Sequence, residues 1–177
     1  LELNPDLTKA ENLYAHLEVD LGHAEEAMVR LLTRARGRSA DPELFAGLSH
    51  ACRYCGLLQA SVAAAEQAAR LDPKIPTSVV QTHFMLGDYE RVADYDREAV
   101  PLMRNLGRVM LGRTEEALQS LDAIESKMPN RLVTYTRALR HVMRGEREAG
   151  QALIRQLVDI RDPEGRYHLA RQLVRLG

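Results

Sequence analysis

Cys52-Arg53-Tyr54-Cys55, with His50 just ahead of it, is the arrangement in this chain with the clearest chemical potential, since a C-x-x-C pair serves either redox exchange or metal binding. A redox pair needs a depressed thiol pKa, usually supplied by a helix N-terminus. These cysteines instead fall in the last turn before Gly56, where the helix dipole disfavours thiolate. A zinc site calls for four ligands, and the sequence has no second C-x-x-C and no H-x3–5-H. Leu44, Leu48, Ala51, Cys52 and Cys55 recur at the spacing of one buried helical stripe, so the cysteines read as small core residues. A small-ligand or metal- or redox-responsive regulatory module using Cys52, Cys55 and His50 stands as the alternative.

Other reactive side chains are scattered. The histidines, at 16, 23, 50, 83, 141 and 168, show no i, i+4 pairing, and none has a nucleophile or acid at catalytic spacing. His83 is predicted to face the core and the others the surface. Glu25-Glu26 and Glu115-Glu116 fall in first helical turns, where acids complement the dipole. Neither G-x-x-x-x-G-K-[ST] nor G-x-G-x-x-G occurs, so a nucleotide fold is not supported. Arg137, Arg140 and Arg144 share one helical face, a solvated surface or a seat for an acidic peptide. The expectation is a protein that is not an enzyme and uses no cofactor.

A net charge of -1 argues against a general nucleic-acid binder. The charge is nevertheless uneven. Residues 1–130 carry 14 Lys and Arg against 20 acids, and residues 131–177 carry 10 Arg against 5 acids, a dipole able to orient a partner or a neighbouring copy. With no long apolar run and no secretory pattern at Leu1-Glu2-Leu3-Asn4-Pro5, no membrane association is expected and the location is predicted to be cytoplasmic.

The elements that position these residues follow from a period. Gly22, Gly56, Gly87, Gly112 and Gly145 each end one amphipathic run and precede another, at intervals of 34, 31, 25 and 33 residues, and Gly177 follows 32 further on. Glycine at such a place suits a left-handed turn between helices. Leu71-Asp72-Pro73, Met128-Pro129 and Asp162-Pro163 mark the far ends of the second helices, and Asp41-Pro42-Glu43-Leu44 is a helix start with Asp41 as N-cap. The short interval predicts clipped helices between Asp88 and Leu111, with Pro101 opening the second. In the fifth unit the stripe Tyr135, Ala138, Leu139 and Val142 reads as one residue out of register with Gly145.

The pattern resembles the tetratricopeptide repeat, a helix pair of about 34 residues. The best copy runs from Pro42 to Pro73, with Phe45 in the tryptophan place, Leu48-Ser49 for Leu-Gly, Cys52 for the tyrosine, Ser61 and Ala65 for the Ala and Phe, and Ala68-Ala69-Arg70-Leu71-Asp72-Pro73 closing it. Ala27 and Ala117 keep the small residue after the turn. The resemblance implies an all-α, right-handed superhelical solenoid of antiparallel helix hairpins over residues 1–177, with about five repeats plus an unpaired C-terminal helix. Its approximate units are 6–40, 41–73, 74–100, 101–129, 130–162 and a partial 163–177.

Such a solenoid implies a concave groove lined by the first helix of each pair. The predicted groove residues are Asn12, His16, Ala46, His50, Arg53, Thr77, Gln81 and Phe84, with Arg140 from the fifth unit. Family resemblance implies a protein interaction scaffold that grips a peptide or helix of a partner, or a neighbouring domain. Some members hold a terminal carboxylate with Lys, Asn and Arg on successive first helices; Asn12 is available here, but His16, Ala46 and His50 do not supply that cationic set. The tail Asp162-Pro163-Glu164-Gly165-Arg166-Tyr167 is similar to arrays in bacterial multidomain signalling proteins, which implies a regulatory segment. The final helix, with Ala170, Leu173 and Leu176, is expected to seek a partner helix, giving a possible homodimer.

Overall fold

The structure is a computed structural model that describes residues 7–95, 101–124 and 130–156. The regular structure among its described residues is all α-helix, with no strand. The chain divides into two compact units, Leu1–Asp88 and Tyr89–Gly177. In the first are α1 (Thr8–Asp20), α2 (Ala24–Gly37), α3 (Pro42–Tyr54), α4 (Leu58–Leu71) and α5 (Val79–Met85); in the second are α6 (Tyr89–Ala93), α7 (Pro101–Met110), α8 (Thr114–Ile124), α9 (Asn130–Met143) and α10 (Arg147–Arg155). The break falls inside the expected repeat 74–100. No helix among the described residues is long and apolar enough to cross a membrane.

The predicted turn glycines all adopt the left-handed conformation. Gly22, Gly56, Gly87, Gly112 and Gly145 have φ between 72° and 93°, and no non-glycine residue described has a positive φ. Each closes its helix in one way: the glycine N–H bonds the carbonyl three residues back, and the next residue's N–H bonds the carbonyl five back, as in Gly56 to Arg53 (3.0 Å) and Leu57 to Cys52 (2.9 Å). This paired closure satisfies carbonyls that a helix end would leave bare. Asp41 caps α3 by accepting a hydrogen bond from the Glu43 N–H at 3.1 Å, with Pro42 in the first turn.

Counting from each turn glycine exposes a second regularity. Seven residues before it stand Ala15, Ser49, Val80, Asn105 and Ala138, all fully buried. Five residues after it stand Ala27, Ser61, Val92, Ala117 and Gly150, buried as well. At Gly56 the two positions touch directly, the Ser61 hydroxyl donating to the Ser49 carbonyl at 2.6 Å. Ala138 therefore holds the same place as Ala15 and Ser49, which corrects the one-residue offset read in the fifth unit; Arg137 beside it is exposed.

In the first unit α3 packs against α1, α2, α4 and α5. Ala15, Val19, Ala27, Leu31, Ala35, Leu44, Leu48 and Ala51 form one core cluster, and Ala46, Ala68 and Ile75 another, with half-buried Phe45 touching both. Between α1 and α2 the contact is ionic: Glu11, 1% exposed, pairs with Arg30 and with Arg34 at 3.0 Å, and Arg30 also holds Glu18.

In the second unit Arg113 pairs with Glu90 at 2.8 Å, and Met103, Leu106, Leu118, Leu121, Leu139 and Ile154 are buried. The helices flanking the short interval are clipped as expected, α6 having five residues and α7 beginning at Pro101. At Gly107 α7 presses on α6, where a Cβ would meet the Ala93 nitrogen and Val92 Cγ1, both at 2.9 Å.

Two glycines are thus needed for different reasons. Gly56→Ala adds a methyl with nothing within 4 Å but at a φ of 75°, a strain of about 1–2 kcal/mol. Gly107→Ala gains helix propensity but meets backbone, for a net loss of about 1–2 kcal/mol. Asparagine at 56 is expected to recover much of the loss, because it tolerates the left-handed region, whereas asparagine at 107 deepens it; urea unfolding of the four variants checks the contrast. The expected C-terminal helix 163–177, its dimer contact, and the Pro129 and Pro163 signals lie outside the described residues.

Candidate functional site

The first helices of the glycine-closed pairs in the first unit, α1, α3 and α5, carry most of the predicted groove. The structure joins some of its residues into a polar seam and buries others. Asn12 on α1 is half-buried and donates through Nδ2 to Glu43 Oε2 at 2.7 Å, while its Oδ1 is buried with no partner. One turn on, the His16 ring stacks on His50 of α3, with centroids 3.8 Å apart and planes 16° from parallel.

Arg53, one turn beyond His50, is 5% exposed. Its Nη1 donates to the Ser78 carbonyl at 2.6 Å, its Nη2 lies 3.1 Å from His50 Nδ1, and the guanidinium carbon sits 5.2 Å from the Tyr54 ring centre. The Ser78 hydroxyl lies 3.4 Å from the same His50 nitrogen. The seam therefore runs from α1 across α3 to the start of α5. Ser61, Ser49 and Thr82 form a separate buried hydroxyl link across α3, α4 and α5, with Ser61 Oγ 2.8 Å from Thr82 Oγ1.

Several expectations need correction. Ala46 is buried in an apolar cluster, and Phe84, Arg53 and His50 are 4%, 5% and 6% exposed, so none of the four offers an open side chain to a groove wall. Thr77 is half-buried but lies in the loop before α5. Gln81 is half-buried on α5. Arg140 belongs to the second unit and pairs with Asp122 at 2.9 Å. His83 is buried as expected, with Asp88 at 3.8 Å, but His50 is buried too, because α3 packs against four other helices. The Glu11–Arg30–Glu18 network was missed; Glu11 and Arg30 stand on different helices, and no spacing rule within one helix connects them.

Burial dominates the electrostatics. It drives the His50 pKa down to about 2, helped by the neighbouring His16 and Arg53, so the ring is neutral across the physiological range. Burial also pushes the Cys52 and Cys55 thiols up, with Cys55 adding to the rise at Cys52 and Glu25 and Glu26 adding to that at Cys55. Protonated thiols are poor nucleophiles and poor ligands. Among the described residues no three His, Cys, Asp or Glu side chains come together as a metal set. No protein-family model matches the chain, and no curated protein matches it significantly.

Proposed function

We propose that this chain is an array of tetratricopeptide-like helix pairs serving as a scaffold, with the half-buried Asn12 and His16 of α1 and Gln81 of α5 gripping an extended or helical segment of a partner protein. The observation that carries the reading is the recurrence, at five turn glycines, of one buried residue seven places before and another five places after. A repeated helix-pair crossing accounts for that recurrence at Gly22, Gly56, Gly112 and Gly145, where the helices on either side pack on each other. The exposed Tyr14 and Leu17 of α1 add support: 34 residues on stand Leu48 and Ala51, buried in the cluster where α3 meets α1 and α2, as expected if each pair offers the same stacking surface.

Side chains of mixed polarity along successive helices favour peptide recognition. The test is selection of displayed random peptides on the purified 177-residue chain. Enriched peptides are expected to lose about tenfold in affinity on Asn12→Ala or Gln81→Ala, and to be indifferent to Glu66→Ala on the exposed face of α4. No enrichment, or binding blind to both groove variants, would overturn the assignment.

A further inference from the structure

We infer that the outward face of α1 pairs with the same face of a second copy of this chain, the two helices running antiparallel about a two-fold axis. This helix has two apolar faces, where a surface helix ordinarily has one. Ala15 and Val19 pack inward with residues of α2 and α3. On the other side Leu7, Ala10, Tyr14, Leu17 and Leu21 recur at intervals of three, four, three and four, the spacing of a helix-pairing seam. Ala10 is half-buried and the other four are exposed, Leu17 at 52%. Leu13, exposed as well, lies along one flank. Large apolar side chains gathered on one open face mark a contact surface.

The fold shows what such a face receives. At the 34-residue interval that separates Gly22 from Gly56, Leu44, Leu48 and Ala51 of α3 take the places of Ala10, Tyr14 and Leu17. All three are buried in the cluster where α3 meets α1 and α2. The α1 face is therefore the repeat equivalent of an interface that helices fill. Its aromatic anchor is held in advance: Arg30, which pairs with Glu11 and Glu18, lies 4.9 Å from the Tyr14 ring centre. Charge selects the occupant. Lys9 and Asp20, both exposed, stand at opposite ends of the flank that carries Leu13. In an antiparallel pair each flank meets its own copy, so Lys9 of each chain approaches Asp20 of the other and Leu13 lies across from Leu17. A parallel pair would instead set Asp20 beside Glu18 of the other copy, acid against acid. Two helices of 13 residues cover less than a standard interface, which places the association in the micromolar range.

The experiment is sedimentation equilibrium of the 177-residue chain from about 1 µM to about 300 µM. Weight-average mass is expected to climb from one chain toward two, with a dissociation constant of about 10–100 µM. Leu17→Glu sets like charges near the axis and is expected to weaken pairing about tenfold or more, with helical content unchanged because the side chain is open to solvent. Lys9→Glu and Asp20→Lys are each expected to weaken it about fivefold, and the double swap to restore it, since both ion pairs re-form with their signs reversed. Should Leu17→Glu fold poorly, Leu13→Glu replaces it at a side chain that is 63% exposed. A chain that stays monomeric throughout, or a dimer indifferent to whichever of these two variants folds, overturns the pairing. So does a dimer that the double swap weakens as much as the single changes do. Displayed peptides bound by a monomeric chain and lost on Leu17→Glu would give the face to a different partner, and self-pairing would fall. Failure of the groove reads out separately, as peptides indifferent to Asn12→Ala and Gln81→Ala, which lie off this seam.

Discussion

Phe84→Ala is expected to lower the unfolding free energy of the first unit by about 3–5 kcal/mol, because it empties a buried aromatic site in a helix with few other supports. The helix α5 has seven residues, too short to hold helical form by its own hydrogen bonds. Val79, Val80, Thr82, His83 and Phe84 are all buried, so α5 exists by packing. Truncating its largest side chain should loosen the whole element, including the Thr82 hydroxyl that meets Ser61. In the sequence Phe84 reads as a groove residue, whose loss would weaken partner binding and leave helical content intact. Its burial reverses that expectation: helical content should fall at moderate urea where the parent chain stays folded. A loss below about 1 kcal/mol in urea titrations would contradict the burial account.

Acid is expected to destabilise the first unit through His50, and the sign follows from proton binding. In the unfolded chain His50 takes up a proton near its ordinary value of 6.5, whereas in the fold it stays neutral until pH falls to about 2. Below 6.5 the unfolded state therefore binds one more proton, so stability rises with pH there and levels off above neutrality. At about 1.4 kcal/mol per pH unit, the loss from this residue between pH 7 and pH 4 is about 3 kcal/mol. Other groups titrate over the same range, so the check is a difference. His50→Gln cannot take up the proton, and its unfolding free energy should fall less steeply than the parent's between pH 6.5 and pH 4. Parallel curves would mean that His50 is protonated in the native fold.

Both effects arise from the same circumstance, the coverage of α3 and α5 on more than one face. Neutrality at His50 also leaves its Nδ1 lone pair open to Arg53, so the acid sensitivity and the orphaned Nε2–H have one origin.

By itself the sequence determined the punctuation of the fold. A left-handed turn excludes nearly every residue but glycine, so Gly22, Gly56, Gly87, Gly112 and Gly145 could be located without knowing what surrounds them. Asp41 and Pro42 mark a helix start for reasons equally local, and Ala27 and Ala117 marked where paired helices come close. Only the tertiary structure decided which polar side chains are buried. Helical periodicity identifies one inward face, but α3 is packed by four other helices, so Arg53 and His50, on its presumed outer face, lie inside. The ion pairs of Glu11 and the clash waiting at Gly107 likewise depend on a neighbouring helix, since burial and close approach are properties of two surfaces and one strand of sequence specifies only one of them.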